Sequence, residues 1–206
     1  MDGETHHFIV REGLEKTHAE IVRHAADLFG TMGYSKTNIG EIAERVGMSP
    51  GNLYRYYRNK QGIGEEVVRC YLAHSEQAME AAIAAQDDPE ARLRAMFACG
   101  IGGLLDALRD APRMVELADM ICEGDSGILV AHLEWKLGWF ERLLREGVVA
   151  GIWHLEDPPA FAETLLDATR TFWAPISLAY LDAARVPARV EGILDAMLAG
   201  IRVRDA

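Results

Sequence analysis

Between Ser49 and Lys60 the chain carries a run of residues able to hold a polyanion: Ser49, Pro50, Gly51, Asn52, Tyr54, Arg55, Tyr56 and Lys60. Tyrosine hydroxyls and a lysine can bond phosphate oxygens, an asparagine can read a base edge, and an arginine can pair with guanine or phosphate. Two tyrosines and an arginine on so short an outward face are costly against water and useful against nucleic acid. No comparable set of reactive groups occurs elsewhere. The sequence has no nucleophile elbow, no phosphate-cradling glycine loop and no His-x-x-x-His pair, so no catalytic residue and no enzyme is expected. Cys70, Cys99 and Cys122 are odd in number and widely spaced, which argues against a disulfide framework and a paired zinc motif. Nothing fixes the geometry of Cys99 with Cys122 as a redox pair, or of Cys122, Glu123 and His132 as a metal site; no metal and no cofactor are expected.

The elements that must position the Ser49–Lys60 run read as helices. Ile21, Ala25, Leu28, Phe29 and Met32 form one continuous stripe, and Gly33 can supply a left-handed stop. A second helix places Ile39, Ile42, Ala43 and Val46 on one face, with Asn38 and Glu41 as a capping-box pair and Gly47 as its end. Ser49 then caps a third helix with Pro50 at its first position, where the missing N–H costs nothing, and Leu53 and Tyr57 face inward. Two short helices joined at a glycine are the geometry of a helix-turn-helix, whose second helix enters the major groove. Periodicity alone leaves a plain helical corner equally open; the outward face of the third helix tips the reading toward DNA.

Net charge is −11 over 206 residues, which taken whole argues against a nucleic-acid partner. Its distribution does not. From Lys16 to Lys60 there are seven bases against four acids, a balance of +3 that leaves −14 on the remainder. Phosphate attraction acts locally and is screened beyond ~10 Å, so an acidic body behind a mildly basic head is compatible with DNA binding. The start of the chain lacks the basic and apolar stretches of a signal peptide, and no apolar run reaches about 18 residues, so a cytoplasmic protein without membrane contact is expected.

Beyond Asn59 longer helices are expected at about 60–85, 89–110, 112–123, 126–150, 158–184 and 188–201, punctuated by prolines and glycines, with Pro175 kinking or shortening the fifth. The fold class is all-α, with about nine helices: a three-helix helix-turn-helix head followed by a C-terminal bundle. Residues 1–15 read as a tail, 16–62 as the head and 63–206 as the body.

The string Ile21-x-x-x-Ala25-Ala26-x-Leu28-Phe29, Gly30-x-x-Gly33-Tyr34, Thr37-Asn38-Ile39-x-x-Ile42-Ala43, Val46-Gly47-Met48-Ser49-x-Gly51-x-Leu53-Tyr54-x-Tyr56-Tyr57-x-x-Lys60 resembles the DNA-binding head of the TetR family in order and spacing. Gly40 within the second helix, and Asn38 where threonine is commoner, depart from the pattern. The resemblance implies that Thr37 or Asn38, Ser49, Tyr54, Tyr56 and Lys60 hold the phosphate backbone, while Pro50, Gly51, Asn52 and Arg55 face base edges. It further implies a homodimer on a near-palindromic operator and a body that senses an unknown small apolar or amphipathic effector. The expected action is repression, with activation or ligand-independent binding as alternatives.

No sub-family pattern is visible in the body. Cys99, Gly100, Gly102 and Gly103 admit two readings, a cavity or close helix packing. Candidate effector contacts are Cys99, Gly103, Glu123, His132, Trp135, Trp139 and Trp173, although for each taken singly core packing or surface exposure is the commoner role. The last helix has an apolar stripe that includes Ile193 and Met197, and a second face of Gly192, Ala196 and Gly200. By family analogy the last two helices pair with their copies, with Phe161, Leu165, Phe172, Ile193 and Met197 in the dimer interface.

Overall fold

The computed structural model describes residues 10–123 and 127–203, with Cys122 and Glu123 described by backbone alone. The expected effector contact Glu123, and Cys122 beside it, therefore lie outside the described side chains. The described residues form ten α-helices and no strand: α1 (Lys16–Met32), α2 (Ile39–Val46), α3 (Pro50–Leu53), α4 (Lys60–Ala84), α5 (Pro89–Asp110), α6 (Val115–Glu123), α7 (Ile128–Val149), α8 (Pro158–Trp173), α9 (Pro175–Leu178) and α10 (Val186–Ile201). None of them is long and apolar enough to cross a membrane.

The stripe on α1 buries Ile21, Val22, Ala25, Ala26, Leu28 and Phe29, whereas Met32, at its end, is 38% exposed. Gly33 stops the helix with φ 93° and ψ 150°, outside the left-handed helical well expected for it but still a region in which a side chain is strained. A Cβ there would also fall 2.7 Å from Glu116 Oε1. Asn38 and Glu41 make the reciprocal capping box at the start of α2, each side chain accepting from the other's N–H at 3.0 and 2.8 Å. Gly47 closes α2 in the left-handed conformation. Ser49 Oγ accepts from Asn52 N at 3.2 Å, and Pro50 opens α3.

Two compact units emerge. The first holds the described residues up to His74 together with Leu108–Ile128. Its core joins Phe29, Ile42, Leu53, Ile63 and Val67 to Leu117 of α6, all fully buried. α4 runs unbroken through residue 62, so this unit reaches beyond the three short helices. Residues 10–14, read from sequence as tail, also take part: Val10 and Leu14 pack on the core, and Arg11 Nε lies 2.5 Å from Glu66 Oε1.

The second unit is Ser75–Ala107 with the chain from Leu129 onward. Pro175 does more than kink the fifth long helix. Ala174 is extended (φ −104°, ψ 115°), as the ring of a following proline demands, so α8 ends at Trp173 and α9 is a separate turn. That break accounts for ten α-helices where nine are expected, and a short 3-10 turn at Pro112–Met114 stands ahead of α6. The ambiguity over small residues on α5 resolves by position. A Cβ on Gly100 would fall 2.5 Å from the Trp173 ring and 2.6 Å from Met79 Sδ, which is close packing; Gly102 and Gly103 face no atom within 4 Å.

Candidate functional site

In the first unit α2 and α3 are joined by a turn in which Gly47 N and Met48 N donate to the carbonyls of Glu44 and Ala43 at 3.0 and 2.9 Å. Leu53, fully buried, anchors α3, while the backbone continues helically so that Tyr56 N and Tyr57 N both donate to Leu53 O. The face left outside carries Ser49, Pro50, Gly51, Tyr54 and Arg55 exposed, with Asn52 and Tyr56 half-buried beside them. Tyr54 is 52% exposed. Tyr56 is braced edge-on by the His18 ring at 5.1 Å, and His18 meets Tyr57 in the same way at 5.4 Å. Burial raises the Tyr57 pKa, with Glu66 adding to it, and its hydroxyl finds no partner among the described residues. Gly51 has open space around it: an added Cβ would meet nothing within 4 Å. No contact within the protein requires glycine there, so what Gly51 contributes is bare backbone on the exposed start of α3.

Two of the sequence-derived contact residues serve the interior instead. Thr37 is 1% exposed; its hydroxyl donates to Gly33 O at 2.9 Å, its N–H to the carbonyls of Gly33 and Tyr34, and its own carbonyl accepts from Lys60. Every polar atom of Thr37 is thus spent, which corrects its assignment to phosphate and leaves Asn38, exposed at the surface, as the candidate of that pair. Lys60 Nζ donates to Tyr34 O at 2.8 Å and Thr37 O at 2.9 Å, 4.3 Å from the centroid of the Tyr34 ring. It staples the α1–α2 connection to the start of α4, and two of its three donors are committed to that task.

In the second unit the expected effector residues separate. Gly103 is exposed on α5 and touches nothing, Cys99 is half-buried, and Trp139 stacks under Arg142 at 4.5 Å and meets the Trp135 edge at 6.4 Å. His132 and Trp173 enter a denser cluster. Phe97 stacks on Phe140 at 4.9 Å, and Trp173 tilts against Phe97 at 5.3 Å while its Nε1 donates to Thr169 Oγ1 at 3.2 Å. His132 stacks on Trp135 at 5.9 Å and its Nδ1 lies 2.6 Å from Glu76 Oε1. Burial, then the neighbouring Lys136, lowers the His132 pKa to about 3, so the neutral ring donates its Nδ1–H to the carboxylate. Glu76 itself is shifted upward by burial, with Glu80 adding and Lys136 opposing.

Sequence reasoning passed over Lys136, which is 2% exposed with its Nζ 4.3 Å from the Trp173 ring centroid. Burial lowers its pKa to about 8, against the pull of Glu76. The signal was present: Lys136 follows His132 by four residues on a helix face otherwise made of apolar and aromatic side chains.

The expected interface residues also divide. Leu165 and Phe172 are buried within this chain, at 0% and 2% exposure, which corrects their assignment to a dimer contact. Phe161, Ile193 and Met197 are half-buried, and Gly192, Ala196 and Gly200 leave an open face on α10.

Comparison with known proteins places these elements. The family model described as "Bacterial regulatory proteins, tetR family" matches residues 21–67, and "Tetracyclin repressor-like, C-terminal domain" matches residues 89–194. The transcriptional regulator BetI of Yersinia pestis is 37% identical over 67 residues, 32% of this chain and 34% of BetI. The transcriptional regulator TcmR of Streptomyces glaucescens is 30% identical over 145 residues, 66% of this chain and 62% of TcmR. The chain thus aligns with about a third of BetI and less than two thirds of TcmR. A TetR-family transcriptional regulator of Pectobacterium atrosepticum shares the fold with a TM-score of 0.70 at 20% identity, over 93% of this chain and 96% of the other.

Proposed function

We propose, since this chain belongs to the TetR family of bacterial regulatory proteins, that it is a transcriptional repressor whose homodimer grips a near-palindromic operator through α3 and releases it when a small molecule enters the second unit. The observation that carries the DNA reading is the outward face of α3. Pro50, Gly51, Tyr54 and Arg55 stand clear around a single buried anchor, Leu53, with Asn52 half-buried beside them, and an added Cβ on Gly51 would meet nothing. Pro50, Gly51, Asn52 and Arg55 face base edges; Asn38, Ser49, Tyr54 and Tyr56 hold phosphates; Lys60 and Thr37 keep the platform rigid. The protein acts in the cytoplasm, by binding and without catalysis.

The dimer forms through α8 and α10, whose open face of Gly192, Ala196 and Gly200 flanked by half-buried Ile193 and Met197 lets two backbones approach closely, with Phe161 on α8 beside them. Two recognition helices then meet half-sites ~34–36 Å apart or a multiple of it. Release follows from linkage: an effector that favours the non-binding arrangement by ~1–3 kcal/mol weakens operator affinity about 5- to 150-fold. The test is titration of the protein against its own upstream intergenic DNA across a range of salt. Arg55→Ala is expected to cost ~1–3 kcal/mol of specific affinity and relax sequence preference. Sequence-independent binding that Arg55→Ala leaves unchanged would remove α3 from the interface.

A further inference from the structure

Tyr56 and Tyr57, in the turn that follows α3, both pack against the core of the first unit. His18, in the first turn of α1, joins the two. Its ring meets Tyr56 at 5.1 Å and 85°, and Tyr57 at 5.4 Å and 73°, so one imidazole stands edge-on to both tyrosines. Those separations and angles are the ones aromatic pairs prefer. His18 is itself held: its Nδ1 lies 2.9 Å from Glu15 Oε2. Glu15 stands at the cap position of α1, yet its side chain bonds no backbone N–H there and is turned to the imidazole instead.

Stability is a poor account of this arrangement. The His18 and Glu15 side chains are 31% and 63% exposed, and an ion pair or hydrogen bond in contact with water contributes little to folding. Its consequence lies at Tyr56, which is half-buried, so that ring contacts decide where the hydroxyl points. A hydroxyl that must meet a phosphate oxygen gains when its ring is already in place, because the freedom otherwise lost on binding has been lost on folding.

We propose that His18 is a positioning residue for operator binding: held by Glu15, its ring sets the Tyr56 ring so that the Tyr56 hydroxyl meets a phosphate of the duplex. This rests on the reading of α3 and the turn after it as the DNA-binding face, and it extends that site to the first turn of α1.

The experiment titrates the full chain against its own upstream intergenic DNA, comparing wild type with Tyr56→Phe, His18→Ala, His18→Phe and the double variant of His18→Ala with Tyr56→Phe. Tyr56→Phe and His18→Ala are each expected to weaken specific affinity about five- to tenfold. The double variant is expected to bind no more weakly than Tyr56→Phe alone, because both changes remove the same contact. His18→Phe keeps a ring in place without a nitrogen or a charge and is expected to bind within about twofold of wild type; it also carries the test should His18→Ala not fold. The salt dependence is expected to be the same in wild type and His18→Phe, since a ring that only positions another displaces no counterion. Unchanged affinity in His18→Ala, losses that add in the double variant, a His18→Phe protein that binds as weakly as His18→Ala, or a salt slope lower by about one in His18→Phe, the mark of a charged phosphate contact, overturns the proposal. Arg55→Ala separates it from the wider reading. Weakened binding in Arg55→Ala with none in Tyr56→Phe or His18→Ala leaves α3 on the operator and removes the role of His18; unchanged binding in all three removes both.

Discussion

Lys60 and Lys136 each hold an ammonium 4.3 Å from the centroid of an aromatic ring, one over Tyr34 and the other over Trp173. The rest of their surroundings differ. Lys60 finds two backbone carbonyls, of Tyr34 and Thr37, at 2.8 and 2.9 Å. Lys136 finds none, and is the more deeply buried of the two. In the first unit backbone carbonyls receive the charge and it works as a structural staple; in the second the ammonium meets the Trp173 ring and the field of Glu76. Aromatic contact and lysine identity are shared, so the difference lies in whether the neighbouring backbone presents acceptors. The α1–α2 connection does, because its carbonyls are not consumed by a helix ladder.

The comparison breaks most sharply at Lys60. Lys60→Met leaves two carbonyls without their charged donor and is expected to destabilise the protein by about 3–5 kcal/mol, since a hydrogen bond to a charged group is worth ~1.5–3 kcal/mol; denaturant unfolding checks this. Lys136→Met is expected to act in the opposite direction, stabilising the effector-free protein at pH 7 by about 2 kcal/mol. Equal destabilisation by both variants would show that the two lysines do the same work.

A pH series sharpens the contrast. The Lys136 pKa is about 8 in the folded chain against an ordinary 10.5, so between those values the unfolded chain holds a proton that the native chain has lost. Stability therefore rises with pH through that window, and the burial penalty is complete below pH 8. The advantage of Lys136→Met over wild type is expected to shrink, and to be largely lost, as the pH rises from 8 to 10.5. A gap that stays constant across the window would mean that Lys136 titrates near its ordinary value.

The smallest expected effect on stability is at Gly51. Because a Cβ there meets nothing, Gly51→Ala is expected to leave stability unchanged or raised by up to ~1 kcal/mol, while weakening operator binding roughly tenfold, ~1.4 kcal/mol. A variant that binds as wild type would mean that the start of α3 does not approach the duplex closely.

Local chemistry made the head readable. Asn38 and Glu41 are three residues apart and close a capping box whatever surrounds them; Gly47 and the Ser49-Pro50 pair bound their helices for equally local reasons, and the apolar stripes of α1 and α2 follow from helical period alone. Thr37 and Lys60 were read as surface contacts because their types suit phosphate. Their actual partners lie across the fold, 23 residues from Thr37 O to Lys60 Nζ, and no pattern in the chain announces that contact.

From the residues alone came the all-α class, the helix boundaries set by caps and prolines, the order of the DNA-binding elements and their resemblance to the TetR head. Each depends on interactions within one or two helical turns. Tertiary structure alone decided that Thr37 and Lys60 support the platform from within, that Leu165 and Phe172 belong to this chain's own core, and that α6 joins the head through Leu117. It also decided that Lys136 is buried against the Trp173 ring. Burial and hydrogen-bond closure are properties of what packs against a residue, and that is set by helices distant in sequence.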